Sequence, residues 1–497
     1  MTKQRLSGWG RTAWTVADTL VPSDETEVRA AVGAVGDRGL IARGLGRSYG
    51  AAAQNAGGQV LLMPGTAVGR HYSLDATTGT VTAPAGMSLD EILKDSVPRG
   101  WFVPVTPGTR FVTVGGAIAS DIHGKNHHFD GSFGQHVTAV RVMLSSGDVV
   151  TLSPQENPDW FWATVGGMGL TGIILDAEFR MLPVESSRVR VEKERLADFD
   201  AVVAAMSTDG DDGTYRYSVA WVDLVATGKS MGRGVLTRGD HASASEAGGG
   251  DVLAYDPKVR VAAPPRVPNQ LLNKLSIKAF NELWFRKAPS TRHVGVESIP
   301  AFFHPLDGVR GWNTLYGTQG FIQYQFIVPL AQVEVLRRVI EAFAGQGVAS
   351  FLAVLKRMGP ANEAPMSFPT EGWTLTLDMA AGIKGLPELL ARVDTMVLDA
   401  GGRHYLAKDS HVAPLAVRRG YPRFGEWLRT RDEMDPARTW NSDLARRLGL
   451  LERGCRHEER RGGAPEHRAV RRHERDRTGN RRTARAPGCR PVDSRGP

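Results

Sequence analysis

Short apolar runs alternate with glycine-rich segments through the first 185 residues, and no other feature limits the possible fold as strongly. The runs Gly39–Ala42, Val60–Met63, Thr80–Ala83, Val137–Leu144, Asp148–Leu152 and Thr171–Phe179 have strand length, and glycine punctuates them as turns do. Helices are expected over Glu25–Val35, Leu89–Lys94 and Pro158–Ala163, the second opening on Ser88 and Glu91 at capping-box spacing. This mixture specifies an α+β domain, assigned to residues 1–185. Residues 186–402 read differently. Strands Tyr215–Val222, Gly320–Val328 and Trp373–Asp378, with helices Leu330–Ala344 and Leu386–Leu398, predict a second domain with an antiparallel sheet and helices on one face. Gly228–Asp251 and Ala262–Ser290 are poor in regular pattern and are candidate mobile loops. Residues 403–450 are expected to return to the first domain.

The chain of 497 residues has a formal charge of +8, which invites a nucleic-acid reading until the charge is located. Residues 451–497 hold 14 arginines, no lysine and 7 acidic residues, leaving 47 basic and 46 acidic residues before them. The body is nearly neutral, so no nucleic-acid partner is expected. The tail lacks Phe, Trp, Tyr and Ile, cannot bury enough apolar surface to fold, and is expected to be disordered. It reads as a stretch translated in a shifted frame or, alternatively, as a phosphate- or RNA-binding arm. Both cysteines, Cys455 and Cys489, lie there, which removes disulfides, cysteine nucleophiles and thiolate metal sites from positions 1–450. No metal is expected. The N-terminus has no apolar signal segment and no stretch reaches the length of a membrane span, so the location is open between cytoplasm and periplasm at a membrane surface.

The first chemical motif is Ala42-Arg43-Gly44-Leu45-Gly46-Arg47-Ser48-Tyr49-Gly50, directly after a strand. Glycines there let backbone N–H groups converge on an anion. A nicotinamide fingerprint is excluded: the third glycine comes one position late, and no amphipathic helix with a following acidic residue appears. Alone, the loop would read as a tight turn. It is followed, however, by Thr82-Ala83-Pro84-Ala85-Gly86, Pro104-Val105-Thr106-Pro107-Gly108, Val114-Gly115-Gly116-Ala117, Asp121-Ile122-His123-Gly124 and Gly166-Gly167-Met168-Gly169-Leu170-Thr171-Gly172.

Segments in this order resemble the vanillyl-alcohol-oxidase family, with its PCMH-type FAD-binding domain, over residues 10–185. The resemblance implies FAD. Its contacts fall at Arg43, Gly44, Leu45, Gly46, Arg47, Ser48 and Tyr49, then Thr106, Pro107, Gly108 and Thr109, then Val114, Gly115, Gly116 and Ala117. Further contacts fall at His123, Gly124, Lys125 and Asn126, at Gly167, Met168, Gly169 and Thr171, and at Tyr405. In many members a histidine at the place of His123 carries the flavin covalently. The segment Asp121-Ile122-His123-Gly124-Lys125-Asn126-His127-His128 resembles instead a branch with non-covalent FAD, and that is the reading adopted.

That branch oxidises the 2′-hydroxyl of decaprenylphosphoryl-β-D-ribose to the 2′-keto sugar, the first half of epimerisation to the arabinose donor for cell-wall arabinan. The similarity covers residues 5–450 and is carried by Phe302-Phe303-His304-Pro305-Leu306-Asp307, Gln323-Tyr324-Gln325-Phe326, Leu355-Lys356-Arg357-Met358 and Ala407-Lys408-Asp409-Ser410. Strand alternation puts Gln323 with Gln325, and Thr374 with Thr376 and Asp378, on shared faces that line a site or meet solvent. The resemblance makes Trp221, Gln323, Gln325, Lys356, Thr374, Thr376 and Lys408 substrate contacts. Lys408, His123, Tyr49 and Gln325 are the catalytic candidates, with the base among them open. Members commonly place Asn and Cys where this chain has Thr374 and Thr376, and that cysteine is the one trapped by nitroaromatic inhibitors. A separate NADH-dependent keto-reductase is the implied partner. Ile277, Phe280 and Trp284 at helical spacing, with lysines and arginines nearby, suit either peripheral membrane contact or an ordinary packed helix. A soluble aldonolactone or alditol oxidase using O₂ with covalent flavin is the alternative enzyme, and a flavin-free binding protein the alternative class.

Overall fold

The β-forming runs of the N-terminal half pair into two sheets. Thr2–Ser7, Trp14–Leu20, Gln59–Leu62 and Leu40–Arg43 form a four-stranded sheet in that spatial order. Ser73–Asp75, Thr80–Pro84, Ile173–Arg180, Val137–Met143 and Val149–Leu152 form a five-stranded antiparallel one. The computed structural model describes residues 1–207, 211–264, 267 and 273–452. The arginine-rich tail from residue 453 onward therefore lies outside the described residues. The capping box predicted at Ser88 is present: Glu91 N–H donates to Ser88 Oγ (3.2 Å), and Ser88 N–H to Glu91 Oε2 (2.8 Å). It starts the Leu89–Ser96 helix, whose Leu89, Ile92 and Leu93 are buried in the core under the five-stranded sheet.

An eight-stranded antiparallel sheet dominates the second half. Its strands run in the order His293–Ser298, Arg188–Leu196, Gly234–His241, Tyr217–Val222, Ala353–Met358, Gly372–Ala380, Phe321–Val328 and Arg403–His404. Alternation splits the sheet into two unlike faces. Ala220, Val222, Tyr324, Phe326, Ala353, Leu355, Trp373, Leu375 and Leu377 pack in one core with Val335, Leu336, Val339, Leu389, Leu390 and Val393 from helices Val333–Gly345 and Leu386–Asp399. Gln323, Gln325, Lys356, Thr374, Thr376, Asp378 and Trp221 hold the alternate positions.

Two expectations fail here. The segment Gly228–Asp251 is not a loop, because Gly234–His241 is an interior strand paired along its length with Arg188–Leu196 and with Tyr217–Val222. Within Ala262–Ser290, Lys274–Lys287 is a 14-residue helix capped by Asn273.

The C-terminal segment packs back on the first half. Leu40 N–H donates to Thr439 O (2.8 Å) and Asn441 N–H to Leu40 O (3.0 Å). Arg431, fully buried, donates to Asp435 (2.7 Å), Trp440 O (3.2 Å) and Leu170 O (3.2 Å), while Trp427 Nε1 donates to Ala163 O (3.0 Å). This clamp fixes the Gly166–Gly172 loop. Arg431→Met strands the buried Asp435 carboxylate and is expected to lower stability by about 3–5 kcal/mol in denaturant melts. A change below about 1 kcal/mol would mean that the pair contributes no more than a surface bridge.

Candidate active site

Where the polar face of the large sheet meets the glycine loops there is a cavity of about 760 Å³, within the range of cofactor and ligand sites. One end is built by the turn after the Leu40–Arg43 strand, with Gly44, Leu45, Gly46, Arg47 and Ser48 on the wall. Gly46 has φ +64°, and a Cβ there would lie 2.3 Å from the Arg43 guanidinium. Arg43 is fixed behind the loop by donating to Ser7 O (2.7 Å) and Ala53 O (3.0 Å). The N–H groups of Leu45 to Ser48 meet no acceptor among the described residues. They form a row of donors suited to an anion such as a pyrophosphate. Arg47 adds a cation there, 4.0 Å over the Trp9 ring.

The second loop is held from the other half of the chain. Asp307 accepts from Thr109 Oγ1 (2.7 Å), Arg110 N–H (2.9 Å) and the Arg110 guanidinium (3.2 Å), and His304 Nε2 lies 2.8 Å from Thr106 Oγ1. The Phe302–Asp307 segment is thus the strap that positions Thr106–Thr109. A Cβ on Gly108 would meet nothing within 4 Å, so this wall position stands open to the cavity. Free donors at one end and an open wall beside them fit FAD.

The reacting end lies on the sheet. His123 is buried and fully engaged, with Nδ1 3.0 Å from Lys356 Nζ and Nε2 3.0 Å from the Gln325 amide nitrogen. Gln325 also donates to Thr374 Oγ1 (3.0 Å). The turn leading to His123 is locked by Asp121, which accepts from Ser132, Gly134, Asn362 and Ser367. Burial holds the imidazole well below its usual pKa, and the amines of Lys356 and Lys408 push it lower still. Lys356 is itself held well below the lysine range by burial and by Lys408. Burial also lowers Lys408, with the Asp378 carboxylate opposing, and raises Asp378. Asp378 accepts from Gln323 (2.5 Å), and burial, with the Asp378 carboxylate nearby, holds the Tyr49 hydroxyl well above its usual pKa. The Lys408 amine has no hydrogen-bond partner among the described residues and sits 5.7 Å from the centre of the Tyr49 ring.

Most of the residues expected at the site line this cavity: Gly44 to Tyr49, Thr106 to Thr109, Gly115, Gly116, His123 to Lys125, Met168, Gly169, Trp221, Gln323, Lys356, Thr376, Tyr405 and Lys408. Others stand behind it. Gln325 and Thr374 are covered by His123 and reach the cavity only through it. Val114 and Ala117 are core residues of the short Val114–Ala119 helix, Asn126 donates to Pro104 O (2.8 Å), and Thr171 donates to Thr164 (3.1 Å). Arg43 and Gly167 likewise lie off the wall. Sequence reasoning missed Trp9, Trp312, Phe302, Lys193, Lys287 and Glu297, which do line it. The flagged Phe302–Asp307 segment contained one of these; a Lys and a Glu on sheet strands carry no signal distinguishing them from a solvated face.

A model described as an FAD binding domain matches residues 17–153. Decaprenylphosphoryl-β-D-ribose oxidase of Mycolicibacterium smegmatis is 45% identical over 90% of this chain and 98% of its own length. The chain belongs to the decaprenylphosphoryl-β-D-ribose oxidase family. An uncharacterized protein of Streptomyces coelicolor is 35% identical over 73% of the chain and 100% of its own length. A putative D-arabinono-1,4-lactone oxidase of Neurospora crassa matches only 23% of the chain, at 30% identity. As a member of the oxidase family the chain is an FAD-dependent oxidoreductase. No helix among the described residues is long and apolar enough to cross a membrane.

Proposed function

We propose that the chain oxidises the 2′-hydroxyl of a polyprenyl-phosphoryl-β-D-ribose to the 2′-keto sugar, using non-covalently held FAD. The reading is carried by the near full-length likeness to a decaprenylphosphoryl-β-D-ribose oxidase. Bound FAD supplies the hydride acceptor for the C2′ hydrogen. The hydroxyl proton goes to Lys408, whose amine has no hydrogen-bond partner among the described residues, and burial favours its uncharged, proton-accepting form. Lys356 donates to the oxygen as charge builds on it, His123 Nδ1 and Gly124 O hold the Lys356 amine in place, and Gln325 orients the imidazole from behind. Gln323, Trp221 and Thr376 shape the sugar pocket. Non-covalent binding agrees with a His123 whose two ring nitrogens both have partners.

The exposed apolar side chains of the Lys274–Lys287 helix, Leu275, Phe280, Leu283 and Trp284, stand beside Lys278, Arg286 and Lys287. This helix receives the polyprenyl chain and gives peripheral membrane contact. The keto sugar passes to a separate NADH-dependent reductase. Acid precipitation of purified protein is expected to release one FAD per chain into the supernatant, and polyprenyl-phosphoryl ribose is expected to bleach the flavin under anaerobic conditions. Flavin that stays with the pellet would overturn non-covalent binding and favour a soluble aldonolactone or alditol oxidase.

A further inference from the structure

We propose that Lys193 and Lys287 form the subsite for the substrate's phosphodiester, with Glu297 holding Lys193 in position until that anion arrives. This rests on the reading of the substrate as a polyprenyl-phosphoryl sugar and assigns where its charge is recognised.

The sheet lays its cavity-lining residues out in strand order: Gln323, Thr376, Lys356, Trp221, Thr237, Lys193, Glu297. With strands about 4.8 Å apart, the Lys193 strand lies three steps, about 14 Å, from that of Lys356. The cations of the cavity fall into three groups along this line. Arg47 belongs to the glycine loop and donates to Phe111 O (3.1 Å). Lys356 and Lys408 flank His123. Lys125, Lys193 and Lys287 lie beyond Trp221. Lys125 is committed to the protein, donating to Phe302 O (2.5 Å) with its ammonium 4.0 Å over the Phe302 ring. Lys193 and Lys287 are not. Lys193 is about one-third exposed, and its one ion pair among the described residues is with Glu297, itself on the cavity wall. Lys287 is exposed and has no ion pair among the described residues.

These two lysines are held near one another. Just past Lys287, Pro289 O accepts from Arg195 N–H (3.0 Å) on the Lys193 strand, and the Arg195 guanidinium lies 5.4 Å from the centre of the Phe285 ring. On the same helix Trp284 also lines the cavity, Leu283 is exposed, and Phe280 packs on Phe351 (5.9 Å between ring centres) beside Trp221. The cavity therefore presents a redox-facing pocket and, along its rim, two available cations and an exposed apolar helix. A polyprenyl-phosphoryl sugar brings the three matching parts: hydroxylated ring, one negative charge, hydrocarbon. Glu297 keeps the empty subsite from presenting a bare lysine and makes it selective, because a neutral ligand gives no reason to break the Lys193 pair.

The test compares Lys193→Gln, Lys287→Gln, the double variant, Lys193→Arg and Glu297→Gln in detergent, with no bilayer present. Flavin bleaching is followed with farnesyl-phosphoryl ribose and with a farnesyl β-D-ribofuranoside that lacks the phosphate. Losing charge-assisted hydrogen bonds, the double variant is expected to raise KM for the phosphorylated substrate about 10- to 100-fold. Its kcat should stay within about twofold, and KM for the neutral riboside should shift far less. Lys193→Arg should retain most of the affinity, and Glu297→Gln should lower KM for the phosphorylated substrate. Equal losses on both substrates would overturn the assignment, since they indicate a structural role. Farnesyl phosphate binding, read by tryptophan fluorescence, needs no turnover. If wild type bleaches with neither sugar yet the double variant alone loses farnesyl phosphate, the substrate reading fails and the subsite stands. If farnesyl phosphate binds the double variant as it binds wild type, the subsite is wrong.

Discussion

Replacing Lys408 by methionine is expected to lower the rate constant for flavin reduction by about 10²- to 10⁴-fold, the range lost when a positioned proton acceptor is removed. FAD content should persist, because the N–H row of Leu45–Ser48 and the strapped Thr106–Thr109 loop do not involve this amine. Lys408→Arg should not rescue, since a guanidinium does not give up its proton. The sign of the pH dependence follows from the role. A base works deprotonated, so the rate rises with pH as Lys408 loses its proton. Burial draws that limb below the ordinary lysine value of 10.5. In the methionine variant the limb disappears. Stopped-flow flavin reduction across pH decides it, and a variant that keeps both rate and limb would remove Lys408 from the role of base.

The second large effect is all or none. Thr376 lies on the cavity wall, at the position where the family resemblance implies the cysteine trapped by reduced nitroaromatic inhibitors. A threonine hydroxyl offers no thiolate-like nucleophile. The enzyme is expected to form no covalent adduct with such compounds, while sugar oxidation continues, since neither hydride nor proton transfer uses the side chain at 376. Intact-mass spectrometry on protein truncated before Cys455 reads this directly. An adduct on that cysteine-free chain would refute it, and Thr376→Cys should gain one.

Much of this site was legible because its polar residues interrupt strongly apolar strands. Gln323 and Gln325 flank Tyr324, and Thr374, Thr376 and Asp378 alternate with Leu375 and Leu377, so a period of two assigns their face from residue order alone. Depth along that face was not legible. Thr376 reaches the cavity while Thr374, two residues away, is roofed by Gln325 and His123 from another part of the chain. The Gly234–His241 strand was hidden for a related reason. Its Arg238 argues locally for solvent, yet it is buried against Glu192 (2.7 Å) on the neighbouring strand and the Tyr215 ring, partners that no local pattern displays. The Lys274–Lys287 helix was marked by the helical spacing of Ile277, Phe280 and Trp284, but it buries only Ile277 and Asn281, too little for an amphipathic stripe that would have overruled the loop reading of the surrounding segment.

The division of the large sheet into two faces also bears on how such an enzyme diverges. Adjacent positions on one strand answer to different demands: 373, 375 and 377 to the helices behind the sheet, 374, 376 and 378 to the polar side chains in front of it, with 376 alone of these on the cavity wall. A lineage can exchange asparagine and cysteine for Thr374 and Thr376 without repacking a single helix contact. Insensitivity to a cysteine-trapping drug is therefore accessible by drift, before any exposure to the drug, in organisms that retain the sugar oxidation.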